Sequence, residues 1–70
     1  MEYIIYCQWD AEAEVWFATN DQIPIALESE SLDKLMERVR MAAPEIIELN
    51  ALPKAKYLSF VATAREEVSA

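Results

Sequence analysis

The run Glu2-Tyr3-Ile4-Ile5-Tyr6-Cys7-Gln8-Trp9 decides how the rest of the chain must fold. Aromatic and β-branched side chains pack well on a pleated surface, so it reads as a strand, ending at the polar turn formers Asp10 to Glu14. With a period of two, Tyr3, Ile5, Cys7 and Trp9 line one face and Ile4, Tyr6 and Gln8 the other. Both faces are at least partly apolar, which suits a central strand rather than an edge.

The other elements arrange themselves around it. Val15 to Thr19 reads as a second strand, and the loop of about five residues before it is an ordinary hairpin connection, so the two pair antiparallel. After Asn20-Asp21, Ile25 to Ser29 reads as a short third strand, which Pro24 assigns to an edge or a bulge because it lacks a backbone donor. The period then changes. Leu32, Leu35, Met36, Val39, Ala42, Ala43, Ile46 and Leu49 recur at three and four residues, the spacing of an α-helix, with Ser31 as its cap and Asp33 favourably placed in the first turn.

Pro44 removes one intrahelical bond and clashes with the preceding turn, so the sequence predicts a kink or a restart there, with the helix continuing to about Asn50. Asn50 is expected to take the left-handed cap in a chain without glycine, and Pro53 to stop the helix. Lys56 to Thr63 reads as the last strand, with Leu58, Phe60 and Ala62 on one face and Tyr57, Ser59, Val61 and Thr63 on the other. The tail 64–70 is expected to fray.

The fold class expected is therefore α+β: one domain over residues 1–70, a four-stranded mixed sheet in the sequence β-β-β-α-β. A doubly apolar first strand belongs between two neighbours, which gives the order 3-2-1-4 with one helix on one face. The second face then displays alternate side chains of the first strand, Trp16 or Phe17, Tyr57 and Val61, more apolar area than a lone domain usually leaves wet.

Charge narrows the function classes. The net charge is -7 and the pI about 4.3, so a nucleic-acid backbone is repelled on average, and direct nucleic-acid binding is not expected. The imbalance lies in the first half, where Glu2, Asp10, Glu12, Glu14, Asp21, Glu28, Glu30 and Asp33 precede the first base, Lys34. Such a one-signed field favours a basic protein partner. Cys7 is the one cysteine, so no disulfide framework exists and a reducing cytoplasm is expected. No stretch has the charge and length of a signal peptide or a membrane span.

Histidine is absent, which removes imidazole triads and most zinc sites. Asp10, Glu12, Glu14 and Asp21 could in principle hold a divalent ion, but without glycine or calcium-loop spacing they read as solvated turns, and neither metal nor cofactor is expected. Cys7 has no neighbour to activate it and reads as a buried strand residue. Trp9 and Trp16 flank the first turn and either pack across the hairpin or anchor a partner. The candidate partner-binding set is Trp9, Asp10, Glu12, Glu14, Trp16 and Asp21.

The string Gln8-Trp-Asp10-Ala-Glu-Ala-Glu-Val-Trp-Phe-Ala-Thr-Asn20-Asp-Gln-Ile-Pro24, with Ser31-Leu-Asp-Lys-Leu35 and Ala43-Pro-Glu-Ile-Ile-Glu-Leu-Asn50, resembles a small uncharacterised family related to the HicB antitoxins. The resemblance implies a partial ribonuclease-H-like fold without its activity. It also implies a non-catalytic module that neutralises a small basic toxin of the HicA kind. Ile25 stands where the family usually has a turn glycine, and a β-branched residue resists positive φ, so that turn must differ. Two alternatives stay open: a stand-alone structural oligomer, and a carboxylate-dependent metalloenzyme. Whichever holds, the chain is expected to form a homodimer or larger assembly joined through the sheet rather than the helix, with Asp10, Glu12 and Glu14 at the rim and tightening as salt screens their repulsion.

Overall fold

β1 (Glu2–Asp10) turns back into β2 (Val15–Thr19), β3 (Leu27–Ser29) follows, α1 (Leu32–Leu49) crosses over, and β4 (Tyr57–Thr63) closes the sheet. These elements come from a computed structural model that describes residues 1–69. β1 pairs antiparallel with β2 and parallel with β4, β2 pairs antiparallel with β3, and the order is β3-β2-β1-β4. The central place of the doubly apolar strand is thus met, and α1 covers one face only.

Alternation along β1 sends Tyr3, Ile5 and Cys7 under the helix, where each is at most 1% exposed. Ala18 enters the same layer from β2, opposite Cys7. From above come Leu35, Val39, Ala43 and Ile47, a row at four-residue spacing that forms one stripe of α1. The stripe differs from the expected one at its end: Leu49 is 79% exposed and Ile47 takes the inward position. Pro44 lies on the solvent side of an unbroken helix, with no restart; water can serve the carbonyl that its missing N–H leaves free. Tyr3 keeps its ring in the core because its hydroxyl donates to the Pro53 carbonyl at 2.6 Å.

β3 begins at Leu27, two residues later than the sequence suggests. Ile25 is still core, 5% exposed, but its N–H donates to the Ile23 carbonyl at 2.8 Å across Pro24 and so does not enter the ladder. That local bond accommodates isoleucine without a left-handed backbone; among the described residues, positive φ occurs only at Glu14 and Ala51. Asn20 fixes the preceding bend: its side-chain oxygen accepts from the N–H groups of Gln22 and Ile23, and its amide donates to the Ile4 carbonyl at 2.7 Å.

The helix ends at Leu49 with Asn50 as its cap, and the left-handed position falls one residue later than expected. Asn50 has φ -100°, and the left-handed residue is Ala51 at φ 52°. Ala51 N–H donates to the Glu48 carbonyl and Leu52 N–H to the Ile47 carbonyl, the paired bonds of a Schellman cap. Asn50 contributes instead through its side-chain amide, which donates to the Ile46 carbonyl. A Cβ in the left-handed region is costly, so Ala51→Gly is expected to raise the unfolding free energy by about 0.5 to 1 kcal/mol. Chemical denaturation with an unchanged slope measures it; a loss of stability would contradict the cap assignment.

β4 starts at Tyr57, one residue after the expected Lys56, whose N–H donates to the Met1 carbonyl. Residues 64–69 carry no regular secondary structure and are exposed, while Ala70 lies outside the described residues.

Candidate functional site

The face of the sheet turned away from α1 is assembled from side chains that the ladder brings side by side. Cross-strand register sets Phe17 beside Gln8, Tyr6 beside Thr19 and Val61, Ile4 beside Ser59, and Glu2 beside Tyr57. Paired residues share a face, so this surface is aromatic and aliphatic through its middle. Ile4 is 39%, Tyr6 37%, Val61 45% and Tyr57 62% exposed. Residues so apolar in adjacent positions form a patch rather than scattered surface hydrophobics.

At one side of the patch lies a shallow depression of about 270 Å³ lined by Glu2, Ile4, Tyr6, Asn20, Asp21 and Gln22. Asn20 makes it, since its bond to the Ile4 carbonyl brings the loop alongside β1 beyond the end of β2. Glu2 is oriented from the other side by the Ser59 hydroxyl, which donates to its carboxylate. The depression thus offers two carboxylates and a tyrosine ring around an aliphatic floor. That combination suits a lysine or arginine side chain, whose charge pairs with carboxylates and whose stem and cation favour the ring.

The candidates named from sequence are divided by the fold. Trp9 and Trp16 are register partners with ring centroids 5.6 Å apart and planes inclined by 57°, on the helix side of the sheet. They pack across the hairpin, away from the exposed patch. The Asp10 carboxylate accepts from the N–H groups of Glu12 and Ala13, so it shapes the turn that Glu14 completes at φ 55°. Glu12 and Glu14 remain exposed at the tip. Only Asp21 joins the outer-face depression, together with Glu2, Ile4 and Tyr6, which the candidate set omitted. The signal that could have found them was the apolar second face of β1.

Among the described residues, no group of three or more Cys, Asp or Glu side chains is placed to hold a metal ion. Cys7 is fully buried, and burial pushes its thiol above the ordinary range. A thiol-reactive probe is therefore expected to label Cys7 only as fast as the protein opens. Because the folded value is the higher one, this group's contribution to stability is present below the unfolded thiol's pKa and is lost as pH rises through the folded value. Rapid labelling under native conditions at pH 8 would contradict both statements.

A second concavity, about 590 Å³, lies where the end of α1 and the loop after it meet the start of β4. Ala43, Ile47, Leu52 and Leu58 give it apolar walls, and Lys54 and Lys56 also line it. α1 lies closer to β2 and β3 than to β4, which leaves this side of the helix layer open.

Comparison with known proteins gives a family and a fold. The family model described as a domain of unknown function, DUF1902, matches residues 2–69. The crystal structure of a hypothetical protein from the extremely thermophilic bacterium Thermus thermophilus superposes with a TM-score of 0.77 at 26% identity, over 99% of each chain. No curated protein matches. Among the described residues, no helix is long and apolar enough to cross a membrane.

Proposed function

We propose, for a chain that belongs to the DUF1902 family, a non-catalytic protein-binding role exercised through the outer face of the sheet. The observation that carries this reading is the juxtaposition of exposed Ile4 and Tyr6 with the Glu2 and Asp21 carboxylates in one depression. An interface needs an apolar centre to drive association and charge at its margin to choose the partner. Here the margin is acidic, so the partner is basic.

The finer reading is a module of the HicB-like antitoxin kind, of partial ribonuclease-H-like fold, that neutralises a small basic ribonuclease of the HicA kind. Its support is the sequence likeness of the Trp-Asp turn and Ile-Pro segment, together with the acidic first half. Asp21 is the member of the original candidate set retained at the contact; Glu12 and Glu14 add to the long-range field that steers a cation.

Calorimetric titration with a purified HicA-type ribonuclease from the same genome tests it. A saturable complex that weakens with added salt is the expected result. Absence of heat and of co-migration would remove the toxin reading, and binding to a different basic protein through the same residues would keep the protein-binding one.

A further inference from the structure

We propose that the free edge of β4 pairs antiparallel with β4 of a second copy about a two-fold axis at Phe60, and that this pairing carries the tail of each copy past Lys54 and Lys56 of the other. The inference goes beyond the partner reading above. It uses the strand edge and leaves the depression at Ile4 and Tyr6 free.

The two edges of the sheet are unlike. β3 is only three residues long, contains Glu28, and is flanked by Pro24 and Glu30, all devices that blunt an edge. β4 runs for seven residues, Tyr-Leu-Ser-Phe-Val-Ala-Thr, with neither charge nor proline. One side of it is bonded to β1, and the other is the outer edge of the sheet. A long, uncharged edge of strong strand formers is a template for another strand, and an identical strand is the nearest complement.

Symmetry then fixes the register. Full overlap of 57–63 with itself requires Phe60 opposite Phe60, Leu58 opposite Ala62, Ser59 opposite Val61 and Tyr57 opposite Thr63. Both faces gain, because Val61 is 45% exposed on one face while Ala62 is exposed and Phe60 half-buried on the other. Beyond the paired strands, antiparallel pairing leads the tail that follows Thr63 in one copy toward the segment 52–56 that precedes β4 in the other. Val68 is 86% exposed within one copy, and Leu52, Lys54 and Lys56 all line the cleft of about 590 Å³. One pairing thus covers the bare edge, brings acidic Glu66 and Glu67 to the two lysines, and delivers an apolar side chain to an apolar hollow. The described chain measures 49 × 18 × 17 Å, longer than the roughly 27 Å of an 18-residue helix, and residues 64–69 are exposed and outside the sheet, free to make a contact with a second copy. An isologous pair also closes: the edges left over are the blunted β3 strands, so the product is a dimer and not a fibre.

Sedimentation velocity over about 1 to 200 µM protein, with mass action setting the dimer fraction, tests the proposal. The wild type is expected to dimerise, and Ala62→Lys, which sets a charge at the paired edge, to weaken the dimer at least about tenfold. Lys54→Glu and Glu66→Lys change the net charge in opposite directions, yet each is expected to weaken it about threefold, and the double swap to recover most of the loss. Circular dichroism verifies folding; if Ala62→Lys unfolds, Thr63→Lys at the strand end replaces it. A wild-type monomer throughout overturns the proposal. So does a dimer indifferent to the edge lysine, or one dissociated by Tyr6→Glu on the outer face instead. Failure of the swap to rescue overturns the contact between the tail and the lysines. None of these outcomes bears on toxin binding, which is measured separately.

Discussion

Leu35→Ala is expected to lower the unfolding free energy by about 2 to 5 kcal/mol. Leu35 is fully buried in the first turns of α1, within the cluster that contains Tyr3, Ile5 and Cys7, and its truncation leaves a hole in a core only one layer deep. A chain of 70 residues has a stability of roughly 4 to 10 kcal/mol at the usual value per residue, so this one change approaches the whole. Met41→Ala on the same helix is the control. Met41 is 75% exposed, and its loss is expected to cost less than about 0.5 kcal/mol. Urea unfolding measures both; equal effects would mean that α1 does not present the Leu35, Val39, Ala43, Ile47 stripe to the sheet.

Tyr6→Glu is expected to weaken binding of a basic partner by about 100-fold or more while leaving the fold intact. The ring stands between Thr19 and Val61 at the middle of the outer face and beside the depression that Glu2 and Asp21 flank. A carboxylate there would improve simple charge attraction to a basic protein. Loss of binding therefore identifies desolvation and fit at the apolar centre as the dominant contribution, with charge acting as selector. Asp21→Asn, which removes one carboxylate and keeps the shape, is expected to cost less, about three- to tenfold, and to flatten the salt dependence. If Asp21→Asn is the more damaging change, the acidic margin carries the affinity and the apolar patch is bystander surface.

Much of the fold was legible because β1 is apolar on both faces and the helix stripe changes the period abruptly at Leu32. Those two facts force a central strand, a crossover and the order of the sheet. Less legible were features decided by single backbone bonds. Ile25 looks like a strand residue, yet its N–H turns back to Ile23 and leaves β3 to start at Leu27. Asn50 is a residue type suited to the left-handed cap, but it stands at the helix cap with φ -100°, Ala51 after it takes the left-handed conformation, and Asn50 serves by its side chain. Ile46 and Leu49 fit the three-and-four spacing as well as Ile47 does; strict four-residue spacing from Leu35 favours Ile47.

The site was less legible than the fold for a related reason. Trp9 and Asp10 draw attention as residue types, but one packs on its register partner and the other shapes the turn. Glu2, Ile4 and Tyr6 look like ordinary strand residues until Asn20 brings Asp21 beside them, which is a contact across 16 residues of chain. The family membership and the structural likeness add the fold and leave the partner to these surface arguments.

Backbone amide spectra of the isotope-labelled chain, recorded during titration with a HicA-type ribonuclease, examine the central claim at the level of single residues. The account predicts perturbation at Glu2, Ile4, Tyr6, Phe17, Asp21 and Val61, with the solvent face of α1 at Glu37, Met41 and Glu45 unmoved. Shifts confined to that helix face would contradict it, and a spectrum unchanged by excess ribonuclease would remove the toxin reading.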